Sequence, residues 1–217
     1  NRTRMLQNCI QAAKQAESGD FLVTCRLNAF DGMPKGFCAD LGGSDEPELS
    51  ETVHLASILS GVHGLKLLNI TAGNPYYDSQ FTRPHDPVPN AEYALHPLRC
   101  IELLINAAKT VQINVPDLAV VGSGLSYLRQ YSPYLAAGCI EAGYFEIAGF
   151  GRMALAYPEF ANDIISGRGL DPDKCCISCG SCSKLMRHIS LTGCVVRDAD
   201  TYANIYQSVM KANANIR

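Results

Sequence analysis

The chain has 217 residues, 47% hydrophobic and 18% charged, with a formal net charge of −3. That supplies material for a sizeable core and excludes a disordered chain. Lysines and arginines are scattered without a basic patch, which argues against a nucleic-acid partner, and no apolar run approaches the roughly 20 residues of a membrane helix.

The first element, "RMLQNCIQAAKQAES", spaces its apolar residues as a helix does and stops at Gly19. "DFLVTCRL" (20–27) predicts a buried strand, with Thr24 and Arg26 on one face and Phe21, Val23 and Cys25 on the other. A loop dense in Gly, Pro and Asp follows (28–47), then an amphipathic helix in "ELSETVHLASILSGVHG". "LKLLNITAG" (65–73) predicts the second strand, and "NPYYDSQFTRPHDPVPN" a polar loop with four prolines. "LHPLRCIELLINAAKTV" is a helix, "DLAVVGSG" (117–124) the third strand, and "LSYLRQYSPYLAAGC" mostly helical despite Pro133. "YFEIAGFG" (144–151) is the fourth strand, with a short helix after Pro158.

Alternating strands and helices predict a parallel sheet. The loops are longer after strands than after helices, which points to a barrel whose function sits on those loops. Four strands are half of the eight such a barrel needs. The expected fold class is therefore α/β: the C-terminal half of a (β/α)8 TIM barrel over 1–170, followed by a Cys-rich segment with a closing helix over 171–217. A doubly wound open sheet competes, but no G-x-G-x-x-G follows the first strand, against a dinucleotide-binding unit. The chain opens "NRTRMLQNCI" without an apolar leader, so a cytoplasmic protein is expected. Its first residue is Asn, so a cleaved or cut piece is expected too.

Glycines end the third and fourth strands, as "GSG" at 122–124 and "GFGR" at 149–152. Glycine lets a phosphate approach the backbone, and an arginine adds a bidentate clamp. Each loop alone reads as a tight turn; the two on consecutive strands, with Arg152, favour a phosphate site. Arg26, at the carboxyl end of the first strand, would steady an anion or a developing negative charge. The equal alternative is a salt bridge to Asp31 or Asp40.

Of ten cysteines, Cys9, Cys25, Cys38, Cys100 and Cys139 are scattered through hydrophobic segments and read as small apolar residues. The other five crowd into 175–194, where Cys176, Cys179, Cys182 and Cys194 follow C-x2-C-x2-C-x11-C. Thiolates select zinc, copper(I) or iron–sulfur clusters. Three cysteines at gaps of two with a remote fourth favour a [4Fe–4S] cluster over zinc, which more often uses two separated pairs. Disulfides rank third. Cys175 is not expected to be a ligand, and His188 reads as an exposed polar residue.

"VTCRLNAFDG", "LNITAG", "VVGSG", "EIAGFGRMALAYPEF" and "CCISCGSCSKLM…TGCVVRD" together resemble, in order and spacing, the second half of the old yellow enzyme (NADH:flavin oxidoreductase) family. The closer similarity is to its iron–sulfur branch, which includes 2,4-dienoyl-CoA reductase and trimethylamine dehydrogenase. The resemblance implies an enzyme with FMN, a [4Fe–4S] cluster and NAD(P)H as electron donor, reducing an activated double bond of the enoate or enone class. It places Arg26 at the flavin's pyrimidine edge, Ser123, Gly124, Gly151 and Arg152 at its phosphate, and Cys176, Cys179, Cys182 and Cys194 on the cluster. Tyr76 and Tyr77 are candidates for flanking a small-molecule substrate; the catalytic residues themselves are not assigned. It implies that the barrel's first half is missing, so the fragment alone is expected to be inactive and to dimerise through an open sheet edge. The alternatives are a non-redox barrel enzyme with structural zinc and a non-catalytic electron-transfer module.

Overall fold

The structure is a computed structural model that describes residues 3–38, 46–86 and 95–214. They fall into two compact units: one of 1–124 with 135–149, the other of 125–134 with 150–217.

The first unit is built on four parallel strands: β1 (Cys25–Asn28), β2 (Leu67–Thr71), β3 (Ala119–Ser123) and β4 (Ile147–Gly149). Their order across the sheet is their order in the chain. The register sets Arg26 beside Asn69, Asn69 beside Val121, and Val121 beside Ile147. The side-chain period of two sorts the faces. Leu27, Leu68, Ile70 and Val120 are buried on one face, while Arg26, Asn69 and Val121 on the other are half-buried or exposed.

The helices of this unit are α1 (Arg4–Gln15), α2 (Ser50–Gly61), α3 (Ser79–Thr82) and α4 (Pro97–Asn114). Pro97 opens α4 at a position where its missing N–H costs no bond. The apolar stripe Cys100, Ile101, Leu103, Leu104, Ala107, Ala108 and Val111 is buried as α4 packs on β2 and β3, with α2 and α3 against α4. Under α2, the buried Thr52 hydroxyl donates to the Ala29 carbonyl at 2.6 Å, satisfying two groups that water cannot reach.

The first strand is shorter than expected. Residues 20–24 stand outside the ladder, Phe21 is 66% exposed, and the Phe21 N–H turns back to the Ser18 carbonyl. Apolar character without a partner strand does not suffice to make a strand there.

The segment 125–141 divides into a 3-10 stretch, Leu125–Tyr131, and α5 (Ser132–Glu141). Arg129, at φ 51, breaks the run, and Pro133 falls harmlessly in the first turn of α5. Of this segment, residues up to Tyr134 belong to the second unit and the rest of α5 to the first; the second unit's other helices are α6 (Arg152–Ala156), α7 (Phe160–Ile165), α8 (Ser181–Arg187) and α9 (Ala199–Ala214). Its core is small: Met153, Ala156, Tyr157, Leu170, Cys175 and Cys176, flanked by Phe150, Phe160, Ile164 and Cys194. Tyr157 is fastened at its tip, where its hydroxyl donates to Asp163, which also accepts from Arg168. No helix among the described residues is long and apolar enough to cross a membrane.

Candidate metal centre and cofactor face

On the less covered face of the sheet, Arg26 donates from Nη2 to the Thr71 hydroxyl at 2.9 Å. Asp31, one of the two alternative partners, instead accepts from Asn28 Nδ2 and from the Phe37 N–H, both at 2.7 Å. The other, Asp40, lies outside the described residues. The Arg26 guanidinium is thus steered by a neutral hydroxyl.

Ser123 ends β3 on the same face, two residues beyond Val121. Its hydroxyl donates to the Ile70 carbonyl at 2.9 Å, so that proton is committed within the sheet. Gly124 follows at φ +95, a conformation L side chains rarely adopt, and the Leu104 Cδ1 lies 2.5 Å from where a Cβ would stand. This glycine is therefore needed for the packing of α4, whatever else the loop binds. Tyr76 and Tyr77 sit on the loop after β2, 89% and 61% exposed, in a turn where their N–H groups donate to Asn74.

The other two expected phosphate residues, Gly151 and Arg152, lie at the start of α6 in the second unit. Arg152 helps to line a small pocket together with Cys176, Cys179, Cys182, Cys194 and Arg197. All four cysteines singled out by spacing thus reach one cavity. Two left-handed residues make this possible: Ser178 (φ 56) and Gly180 (φ 76) fold the C-x2-C-x2-C loop back on itself. The Ser178 N–H donates to the Cys176 sulfur at 3.4 Å, and the Arg197 N–H to the Cys194 sulfur at 3.3 Å. Such N–H···S bonds favour sulfur that carries negative charge. Burial pushes the Cys176 thiol up, opposed by the Ser178 N–H and the Arg152 charge.

Cys175 is fully buried and does not line the cavity. His188, just past α8, is exposed. All ten cysteines are free thiols. Among the described residues, no group of three or more His, Cys, Asp or Glu side chains is placed to hold a single metal ion. Sequence spacing did not single out Thr71, Ser178 or Arg197, whose roles arise only from contacts across the fold.

No family model and no curated protein matches the chain. Among solved structures it is similar to 6-hydroxypseudooxynicotine amine oxidase (HisD) from Pseudomonas geniculata N1, with a TM-score of 0.63 and 17% sequence identity. The alignment covers 94% of this chain and 26% of that one, so the chain spans about a quarter of that protein's length. The likeness is one of fold.

Proposed function

We propose that the chain is the C-terminal half of a flavin- and iron–sulfur-dependent oxidoreductase, with a barrel half over 1–170 and a cluster-binding segment over 171–217. The observation that carries this reading is that Cys176, Cys179, Cys182 and Cys194 line one cavity. A [4Fe–4S] cubane takes one thiolate at each of four corners, whereas a single zinc draws four sulfurs to about 2.3 Å from one point. The strand order adds support. A doubly wound sheet reverses its order at a switch point, while β1-β2-β3-β4 runs in sequence, as consecutive βα units of a barrel do. The solved neighbour is by name an amine oxidase, itself a redox enzyme.

In this reading Cys176, Cys179, Cys182 and Cys194 hold the cluster. Arg26, steered by Thr71, offers positive charge to the flavin's pyrimidine edge, and in the same unit Ser123 and Gly124 serve its phosphate. FMN when bound supplies hydride transfer between NAD(P)H and an activated double bond, and the cluster supplies single-electron passage. Since the Ser123 proton is committed to Ile70, that residue serves the phosphate through its backbone. Tyr76 and Tyr77 offer exposed aromatic walls to a small substrate. The outer edge of β1 receives the preceding strands of the barrel or, in the isolated chain, a second copy.

The test is anaerobic purification of the longer protein that contains this chain, with flavin, iron and sulfide analysis. NAD(P)H oxidation is then measured with an enone, and flavin bleaching with an amine. Bound FMN, about four iron and four sulfide per chain, and turnover of either substrate class are expected. Zinc in place of iron, or a protein without flavin, overturns the reading, and turnover by the 217-residue chain alone overturns the half-barrel account.

A further inference from the structure

Arg197 contacts both cysteine segments. Its backbone N–H donates to the Cys194 sulfur at 3.3 Å, while its side-chain Nε donates to the Cys175 carbonyl at 3.1 Å. Cys194 belongs to the turn before α9, and Cys175 immediately precedes the first cysteine of the C-x2-C-x2-C loop. Arg197 also lines the cavity that the four cysteines share.

We propose that Arg197 is the positioning residue of the metal centre, a clasp that holds the remote fourth ligand, Cys194, against the loop carrying the other three. The proposal rests on the cluster reading above. The other three cysteines are tied to one another by short stretches of chain, but eleven residues separate Cys194 from Cys182. Local chain geometry does not fix its approach.

The surroundings of Cys194 give the clasp its leverage. Leu191 and Thr192 just before it are exposed, and the Asp198 N–H closes the turn on the Cys194 carbonyl at 3.0 Å. From this turn, the Arg197 side chain reaches across to the start of the cysteine loop through its bond to Cys175. The carbonyl it grips belongs to a fully buried residue of the unit's core, a fixed anchor.

Charge acts in the same direction. When four thiols ligate they release four protons to solvent and leave four negative sulfurs facing the cavity. Arg197 and Arg152 bring two positive charges to its lining. A guanidinium held in place repels no ligand and costs no reorganisation when the sulfurs ionise.

The test is anaerobic reconstitution of the 217-residue chain with ferrous iron and sulfide, followed by challenge with a strong iron chelator and timing of the loss of cluster absorbance. Arg197→Ala is expected to lose iron roughly 10- to 100-fold faster than the unaltered chain, the usual scale for removing a group that orients a metal ligand. Arg197→Lys, which keeps a charge and a donor, is expected to recover part of that loss. Arg187→Ala removes an equal charge from exposed α8 and is expected to leave the rate unchanged. Far-UV circular dichroism identifies any variant that fails to fold, in which case the Lys variant carries the comparison. Equal rates for Arg197→Ala and the unaltered chain overturn the proposal, as does an equal acceleration by Arg187→Ala. An unaltered chain that takes up no iron and sulfide overturns the cluster reading itself, a result distinct from equal rates.

Discussion

In the sheet unit Cys100 and Cys139 lie buried among aliphatic side chains, and burial pushes both thiols up, Cys100 to about 12. In the other unit Cys179 is exposed, and Cys182 and Cys194 are half-buried around a cavity that two arginines also line. The same side chain thus serves as a small apolar residue in one place and as the lining of a cavity in the other. Backbone and surroundings decide which. α4 presents Cys100 as one residue of an apolar stripe, whereas the segment with left-handed residues at Ser178 and Gly180 carries three of the four cysteines that line one cavity. The units also differ in what holds them. The first rests on a hydrogen-bonded ladder under a long helix, the second on short helices around a handful of buried residues. A metal centre would contribute more to the second unit than to the first.

The largest effect expected from this contrast is on metal content. Cys182→Ala should reduce iron after reconstitution to background while the circular dichroism of the sheet unit persists; Cys100→Ala should leave iron uptake intact. Iron measured colorimetrically checks both, and loss of iron in the Cys100 variant would break the distinction.

Reactivity comes next. At pH 8 a thiol titrating near 12 is ionised to only about one part in 10⁴, so iodoacetamide on the metal-free chain should label Cys179 at least roughly a hundredfold faster than Cys100. Peptide mass spectrometry over a time course reads the ratio. Comparable rates would mean that the sheet unit opens readily.

A smaller effect sharpens the account of the first unit. Thr52→Val removes the donor to the Ala29 carbonyl in a fully buried spot and should cost about 1–3 kcal/mol in urea denaturation. Iron uptake should not change.

The smallest expected effect lies under the core of the second unit. The Tyr157 hydroxyl, then Arg168, holds the Asp163 carboxyl below its ordinary value of 3.8. A carboxylate whose folded pKa is depressed stabilises the fold above its unfolded pKa. That contribution fades as pH falls below about 4 toward the folded value. Asp163→Asn should therefore lower Tm at pH 7 and converge on the unaltered chain as the pH is taken below 4. A Tm difference that stays constant across that range would remove the ionised Asp163 from the account.

Much of this was legible in the sequence, for identifiable reasons. β2, β3 and β4 announce themselves because each is an apolar run closed by glycine. The start of β1 was not legible, since Phe21 and Leu22 look like strand residues and only the absence of a ladder partner leaves them outside. α3 was hidden in a proline-rich loop, where the Asp78 side chain caps it by accepting from the Gln80 N–H. That Cys176, Cys179, Cys182 and Cys194 line one cavity follows their sequence spacing, which keeps three of them within a few residues of one another. Arg197 was not legible, because an arginine three positions after a cysteine looks like any surface residue until the chain returns it to Cys175.

The unbroken succession of strands across the sheet bears on how the molecule is made. As a ribosome releases the chain, each new strand finds its one neighbour already in place and attaches at a single growing margin. No earlier pairing has to be undone to admit a later one. The segment bearing Cys176, Cys179, Cys182 and Cys194 follows all four strands in the chain, so those strands leave the ribosome before its thiols do.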